Sequence, residues 1–165
     1  MRFFVRRSAV FAAAGVAFAL ASGAAWAATV VTVELWDKGT NVAMPTGLVY
    51  GVPGVDLSTA PVGIKTSPAT VGAGEVTFEV TNTSKQMVHE MIVMYLADPT
   101  KPLPYIDKEF RVDEDKAGDK GEVSELDPGK SGTLTVTLEP GKYLLICNVP
   151  GHYAAGQWTE FEVTK

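Results

Sequence analysis

Apolar and polar residues alternate one by one through much of this chain, and side chains that point to opposite faces at successive positions belong to strands, not helices. Val76, Phe78 and Val80 alternate with Glu75, Thr77, Glu79 and Thr81, and Leu134, Val136 and Leu138 with Thr133, Thr135 and Thr137. Val31, Val33 and Leu35 repeat the pattern, as do Phe161 and Val163. Each run reads as a strand with one face in a core and one in water. Met91 to Leu96 and Tyr143 to Cys147 are apolar on both faces and are predicted to be central strands. Pro128-Gly129 and Pro140-Gly141 punctuate the runs, proline presetting one turn dihedral and glycine supplying the positive one. No window of a dozen residues carries a helical stripe. About seven or eight short strands of this kind predict an all-β fold, an antiparallel Greek-key sandwich or barrel.

Two stretches break the rhythm. Gly39 to Pro61, rich in Gly and Pro, is expected to be a long loop. Asp98 to Asp127, with acidic residues at 107, 109, 113, 114, 115, 119, 122, 125 and 127, is expected to be a solvated excursion with room for a turn of helix. The first 27 residues have the parts of a secretory leader: basic Arg2, Arg6 and Arg7, an apolar run from Ala9 to Leu20, and the small-residue site Ala25-Trp26-Ala27. Gly15, Ser22 and Gly23 interrupt the apolar stretch, which falls short of the ~20 residues of a spanning helix. The reading is a signal peptide over 1–27, cleaved after Ala27, and a single domain over 28–165 in the periplasm with no membrane anchor. Outside the leader 11 basic residues face 19 acidic ones, a net charge of −8. That balance repels a phosphate backbone, argues against nucleic acid as a partner, and attracts cationic proteins. A domain of this size buries roughly 70% of its unfolded surface and needs no metal or disulfide to stay folded, so any bound metal would serve chemistry.

Residue arithmetic narrows the chemistry. Cys147 is the only cysteine, so no intramolecular disulfide can form, and His89 and His152 are the only histidines. Cys147, His152 and Gln157 follow one another at five-residue intervals between two strands, in a loop stiffened by Pro150 and turned by Gly151 and Gly156. If folding brings the start of the Met91 strand beside the end of the Tyr143 strand, His89 joins them. Two imidazoles and a thiolate with an amide near the axis form a trigonal set suited to copper in electron transfer.

On these residues the chain resembles the cupredoxins, the blue-copper family of plastocyanin, azurin and stellacyanin. The likeness runs from the strand at Glu75 through Thr81-Asn82-Thr83-Ser84 and Met87-Val88-His89-Glu90-Met91 to the Cys-x4-His-x4-Gln loop. It implies one type 1 copper ion with His89, Cys147 and His152 as equatorial ligands and Gln157 as a stellacyanin-like axial ligand, where most relatives carry Met. Met87 or Met91, on the face of His89 if alternation holds, is the other axial candidate. Glu90 stands where azurin and plastocyanin place Asn. The implied function is a monomeric periplasmic carrier of single electrons between redox proteins such as a c-type cytochrome or oxidase. The alternative is a copper-binding or copper-tolerance protein without that role. An enzyme is not expected, because both histidines are already used. Pro150, Tyr153, Ala154 and Ala155 either frame a docking patch around His152 or fill a tight loop. Trp36 and Trp158 are read as packing. Expressed with its leader in a Gram-negative host, the protein should reach the periplasm with the N-terminal sequence Ala28-Thr29-Val30; an N-terminus at Met1 there would overturn the leader reading.

Overall fold

A computed structural model describes residues 28–165, and the leader reading for Met1 to Ala27 lies outside the described residues. In chain order the strands are β1 (Thr29–Asp37), β2 (Val62–Ser67), β3 (Thr70–Gly72), β4 (Gly74–Asn82), β5 (His89–Tyr95), β6 (Tyr105–Ile106), β7 (Arg111–Val112), β8 (Asp119–Leu126), β9 (Ser131–Leu138), β10 (Gly141–Ile146) and β11 (Trp158–Thr164). One helical turn, α1 (Glu114–Ala117), lies between β7 and β8. Eight of these strands have six residues or more; six of them, β1, β4, β5, β9, β10 and β11, are the runs legible in the sequence, whereas β2 and β8 are not, and β3, β6 and β7 have only two or three residues.

Two sheets carry the fold, one ordered β2-β1-β4-β9 and the other β3-β11-β10-β5-β8, with β6 and β7 forming a separate hairpin. The chain changes sheet between β2 and β3, β3 and β4, β4 and β5, β8 and β9, and β9 and β10. The pairing is mixed: β1 runs parallel to β4 and β11 parallel to β3, against the antiparallel expectation. Alternation has a period of two in either direction, so strand polarity leaves no trace in the pattern.

Alternation does decide the core. Val31, Val33 and Leu35 of β1, Val76, Phe78 and Val80 of β4, and Phe161 and Val163 of β11 all point between the sheets and are buried, with Phe78 and Phe161 packed edge to face at 5.3 Å. β5 and β10 lie side by side in the middle of the second sheet, Ile146 opposite Ile92. Their outward residues Ile92, Met94, Leu144 and Ile146 join a second cluster with Tyr50, Leu103, Val112, Ala117 and Tyr153. The two excursions therefore cover the sheet's outer face, and this explains why these strands are apolar on both sides.

Two local expectations change. The stretch 98–127 is not wholly an excursion, because β8 is the edge strand of the second sheet and pairs with β5. Only Val123 of β8 is buried, and charged side chains on its water-facing positions hide the alternation while discouraging edge-to-edge association. At the two Pro-Gly turns only Gly129 has the positive φ, 74°. Gly141 is needed for space instead, since a Cβ there would lie 2.8 Å from the ring of Tyr95. Phe78→Ala should cost about 3–5 kcal/mol in urea unfolding at unchanged secondary structure, the usual result of emptying an aromatic site in a packed core; a loss under 1 kcal/mol would mean the sheets close over the gap.

Candidate metal centre

Cys147 follows β10 directly, His152 sits in the turn, and Gln157 precedes β11, so one hairpin connection carries three polar groups into a buried place. The loop is closed by Cys147 N–H donating to Gln157 O at 3.0 Å, with Gln157 N–H returning to His152 O at 3.0 Å. It is also tied to both excursions. Leu48 N–H donates to Ala154 O at 2.9 Å, and Gly151 N–H to Phe110 O at 2.8 Å. Phe110 holds a φ of 55°, a left-handed conformation unusual for an aromatic residue. Asn148 locks onto Val112, accepting from its N–H at 2.7 Å and donating to its carbonyl at 3.0 Å.

The fold brings His89, the first residue of β5, to this loop from another part of the chain. His89 Nδ1 lies 3.3 Å from His152 Nδ1 and 4.0 Å from Cys147 Sγ, and Sγ lies 3.4 Å from His152 Nδ1. The point equidistant from the three atoms is about 2.1 Å from each, the length of a zinc–imidazole bond and slightly under the ~2.3 Å of zinc–thiolate. The side chain of Gln157 is fully buried, its Nε2 donates to Gly63 O at 3.5 Å, and its Oε1 has no hydrogen-bond partner. Two imidazole nitrogens, one sulfur and an unpartnered amide oxygen are the donors of a site for a thiophilic transition metal. Met91 belongs to the core between the sheets, and Met87 is half-buried in the turn before β5, with its N–H on Ser84 Oγ.

Electrostatics keep the donors neutral. Burial lowers the pKa of His152 to about 4 and, outweighing Asp37, also lowers that of His89. Burial pushes the Cys147 thiol up to about 12, although Glu90 N–H donates to Sγ at 3.4 Å. Binding a divalent metal as thiolate therefore expels a proton. One essential neighbour escapes sequence reading: Asp37, at the end of β1, accepts from His89 Nε2 at 3.0 Å with its own side chain 4% exposed. Burial alone would raise its pKa, but hydrogen bonds from Ser84, His89 and Gly39 bring it below the ordinary value. Fifty-two residues separate the pair, and only the expectation that both strand ends reach one rim could have suggested it.

Tyr153, Ala154 and Ala155 are buried and fill the loop, so they do not frame an exposed patch; Pro150 is exposed and His152 itself is 7% exposed. Trp158 packs edge to face on Tyr50 at 5.1 Å, and its indole N–H is held by Leu48 O. Glu90 is buried with Oε1 unpartnered, and burial together with Glu125 raises its pKa from 4.5 to about 7. Folded protein then holds a proton that unfolded chain releases, so Glu90 removes stability as pH rises from about 4.5 through 7. His152 acts in the opposite direction, removing stability as pH falls from 6.5 towards 4. His89, whose pKa burial also lowers, acts with His152, so in urea unfolding of metal-free protein Glu90 should offset part of the histidine slope. Glu90→Gln should unmask the histidine slope and gain up to about 3 kcal/mol relative to wild type between pH 4.5 and 7.5; a pH-independent difference would refute the shift.

No protein-family model and no curated protein matches the chain. Solved structures do. Reduced auracyanin from the photosynthetic bacterium Roseiflexus castenholzii is 20% identical with a TM-score of 0.51, the match covering 84% of this chain and 98% of that one. Reduced rusticyanin is 19% identical with a TM-score of 0.50 over 84% of this chain and 82% of the other. A further structure, described as the copper protein rusticyanin, is 17% identical with a TM-score of 0.50 over 82% and 76%. The architecture of two crossed-over sheets, shared with these proteins, gives this chain the cupredoxin fold.

Proposed function

We propose that this protein binds one type 1 copper ion through His89, Cys147 and His152, with Gln157 as the axial ligand, and carries single electrons in the periplasm. The observation that carries the reading is the triangle of donor atoms around a point within bonding distance of all three. A trigonal His₂Cys set with one weak axial donor favours copper over zinc, which takes four strong ligands. Gln157 is favoured over Met87 and Met91 because its oxygen is buried and otherwise unpartnered.

Bound copper would supply a one-electron couple between Cu(I) and Cu(II). The chain's part is to keep the donors in one arrangement for both states. His89 is set by β5, Cys147 by β10, and the loop between Cys147 and Gln157 by its own hydrogen bonds and the two excursions. His89, Cys147 and Gln157 are sealed from water, so the edge of His152 is the route by which an electron enters or leaves. The chain's only two histidines both belong to this cluster, leaving none for a second, catalytic centre, which supports a carrier and not an enzyme. With 19 acidic against 11 basic residues beyond the leader, a cationic redox protein such as a c-type cytochrome, or an oxidase, suits a monomeric carrier.

Mature protein loaded with Cu(II) should bind one equivalent and turn intensely coloured from the Cu–thiolate bond, and Cys147→Ser should abolish the colour while remaining folded. Colourless wild-type protein would overturn the copper reading. Rapid reversible reduction by a c-type cytochrome supports the carrier role, whereas slow exchange with tight Cu(I) retention would replace it with copper handling.

A further inference from the structure

We infer that Asp37 is the positioning residue of this centre: its carboxylate holds His89 by Nε2, leaves Nδ1 as the donor, and biases a bound copper ion towards Cu(II). The inference rests on the proposed copper site, but its first half concerns the protein alone.

The geometry requires a carboxylate at this place. Both oxygens of Asp37 accept, Oδ1 from Gly39 N–H at 2.6 Å and Oδ2 from His89 Nε2 at 3.0 Å. An asparagine has an acceptor at one end only and would set an N–H₂ against one of those donors. Ser84 lines the same cleft as the carboxylate, its Oγ accepting from Gln86 N–H at 3.0 Å and Met87 N–H at 2.8 Å. Ser84 is itself placed by Asn82, whose Oδ1 accepts from Ser84 N–H and whose Nδ2 donates to Met87 O and Leu126 O. The turn between β4 and β5 thus aims the carboxylate at His89 and delivers His89 to the site.

A neutral acceptor would orient the ring as well. A carboxylate adds a full negative charge one imidazole away from the metal, with little water around it, and makes the ring a stronger donor. The more highly charged copper state gains more from that charge. Lys38 and Lys85 line the cleft of about 420 Å³ beside Asp37, yet both are exposed and their charges are weakened by solvent. The harder oxygen donor of Gln157 biases the ion in the same direction.

Nitrogen-15 NMR of the metal-free wild type should find His89 in the Nε2–H tautomer, and Asp37→Asn should populate the Nδ1–H form. A wild-type His89 carrying its proton on Nδ1 overturns the positioning role whatever the protein does with copper. In copper-loaded protein Asp37→Asn should shift the preference for Cu(I) over Cu(II) at least tenfold, a rise of 59 mV or more in reduction potential. An unchanged potential in a folded, coloured variant overturns the electronic role. Wild-type protein that takes up no copper overturns it together with the proposed function, while the tautomer still decides the positioning.

Discussion

Two imidazole nitrogens and a thiol sulfur lie within 4.0 Å of one another in a buried place. Such a cluster carries a desolvation cost, because burial strips water from all three groups and leaves them only one another and a few protein neighbours such as Asp37 as partners. The surrounding structure has to hold these groups against that cost. It does so with the two most enclosed strands of the molecule, β5 and β10, whose mutual register fixes where His89 and Cys147 emerge.

The enclosure depends on the excursions. Gly39 to Pro61 contributes Tyr50, and 98–118 contributes Leu103, Val112 and Ala117, to a second cluster on the outer face of the β5–β10 pair. The same segments reach the loop through Leu48, Phe110 and the Asn148–Val112 pair. Most acidic side chains on the second excursion stay in water, while Glu114 accepts from Asn148 Nδ2 at 2.6 Å and the few apolar residues turn inward. A charge-rich segment in this chain is therefore a brace for the Cys-His loop as well as a solvated surface.

Polar groups around the donors are anionic or oxygen-bearing. Asp37 stands behind His89, Glu90 lies beside Cys147 through its backbone N–H, and Gln157 in the same loop keeps a buried, unpartnered Oε1. Glu90 holds its proton near neutrality because burial disfavours its anion, whereas Asp37 remains ionised because three donors converge on it. Two carboxyl groups flanking one site are thus separated into a neutral and a charged form, by burial at Glu90 and by hydrogen bonds at Asp37, which limits the repulsion either would bring.

Period-two patterning in the sequence settled the all-β class and the inward residues of β1, β4, β9 and β11, because alternation reports directly which side of a strand meets the core. The counts of one cysteine and two histidines, with Cys147, His152 and Gln157 evenly spaced in a Pro-Gly loop, restricted the candidate donors to His89, Cys147, His152 and Gln157, with Met87 or Met91 as the other axial candidate. What local pattern could not carry was anything set by partners distant in the chain. Parallel pairing of β1 with β4, the recruitment of β8 as an edge strand, the covering of the second sheet and the Asp37–His89 contact all depend on how strands are ordered across space. Side-chain periodicity is the same whichever neighbour a strand acquires, and a hydrogen bond between two strand ends leaves no mark on the residues around either one.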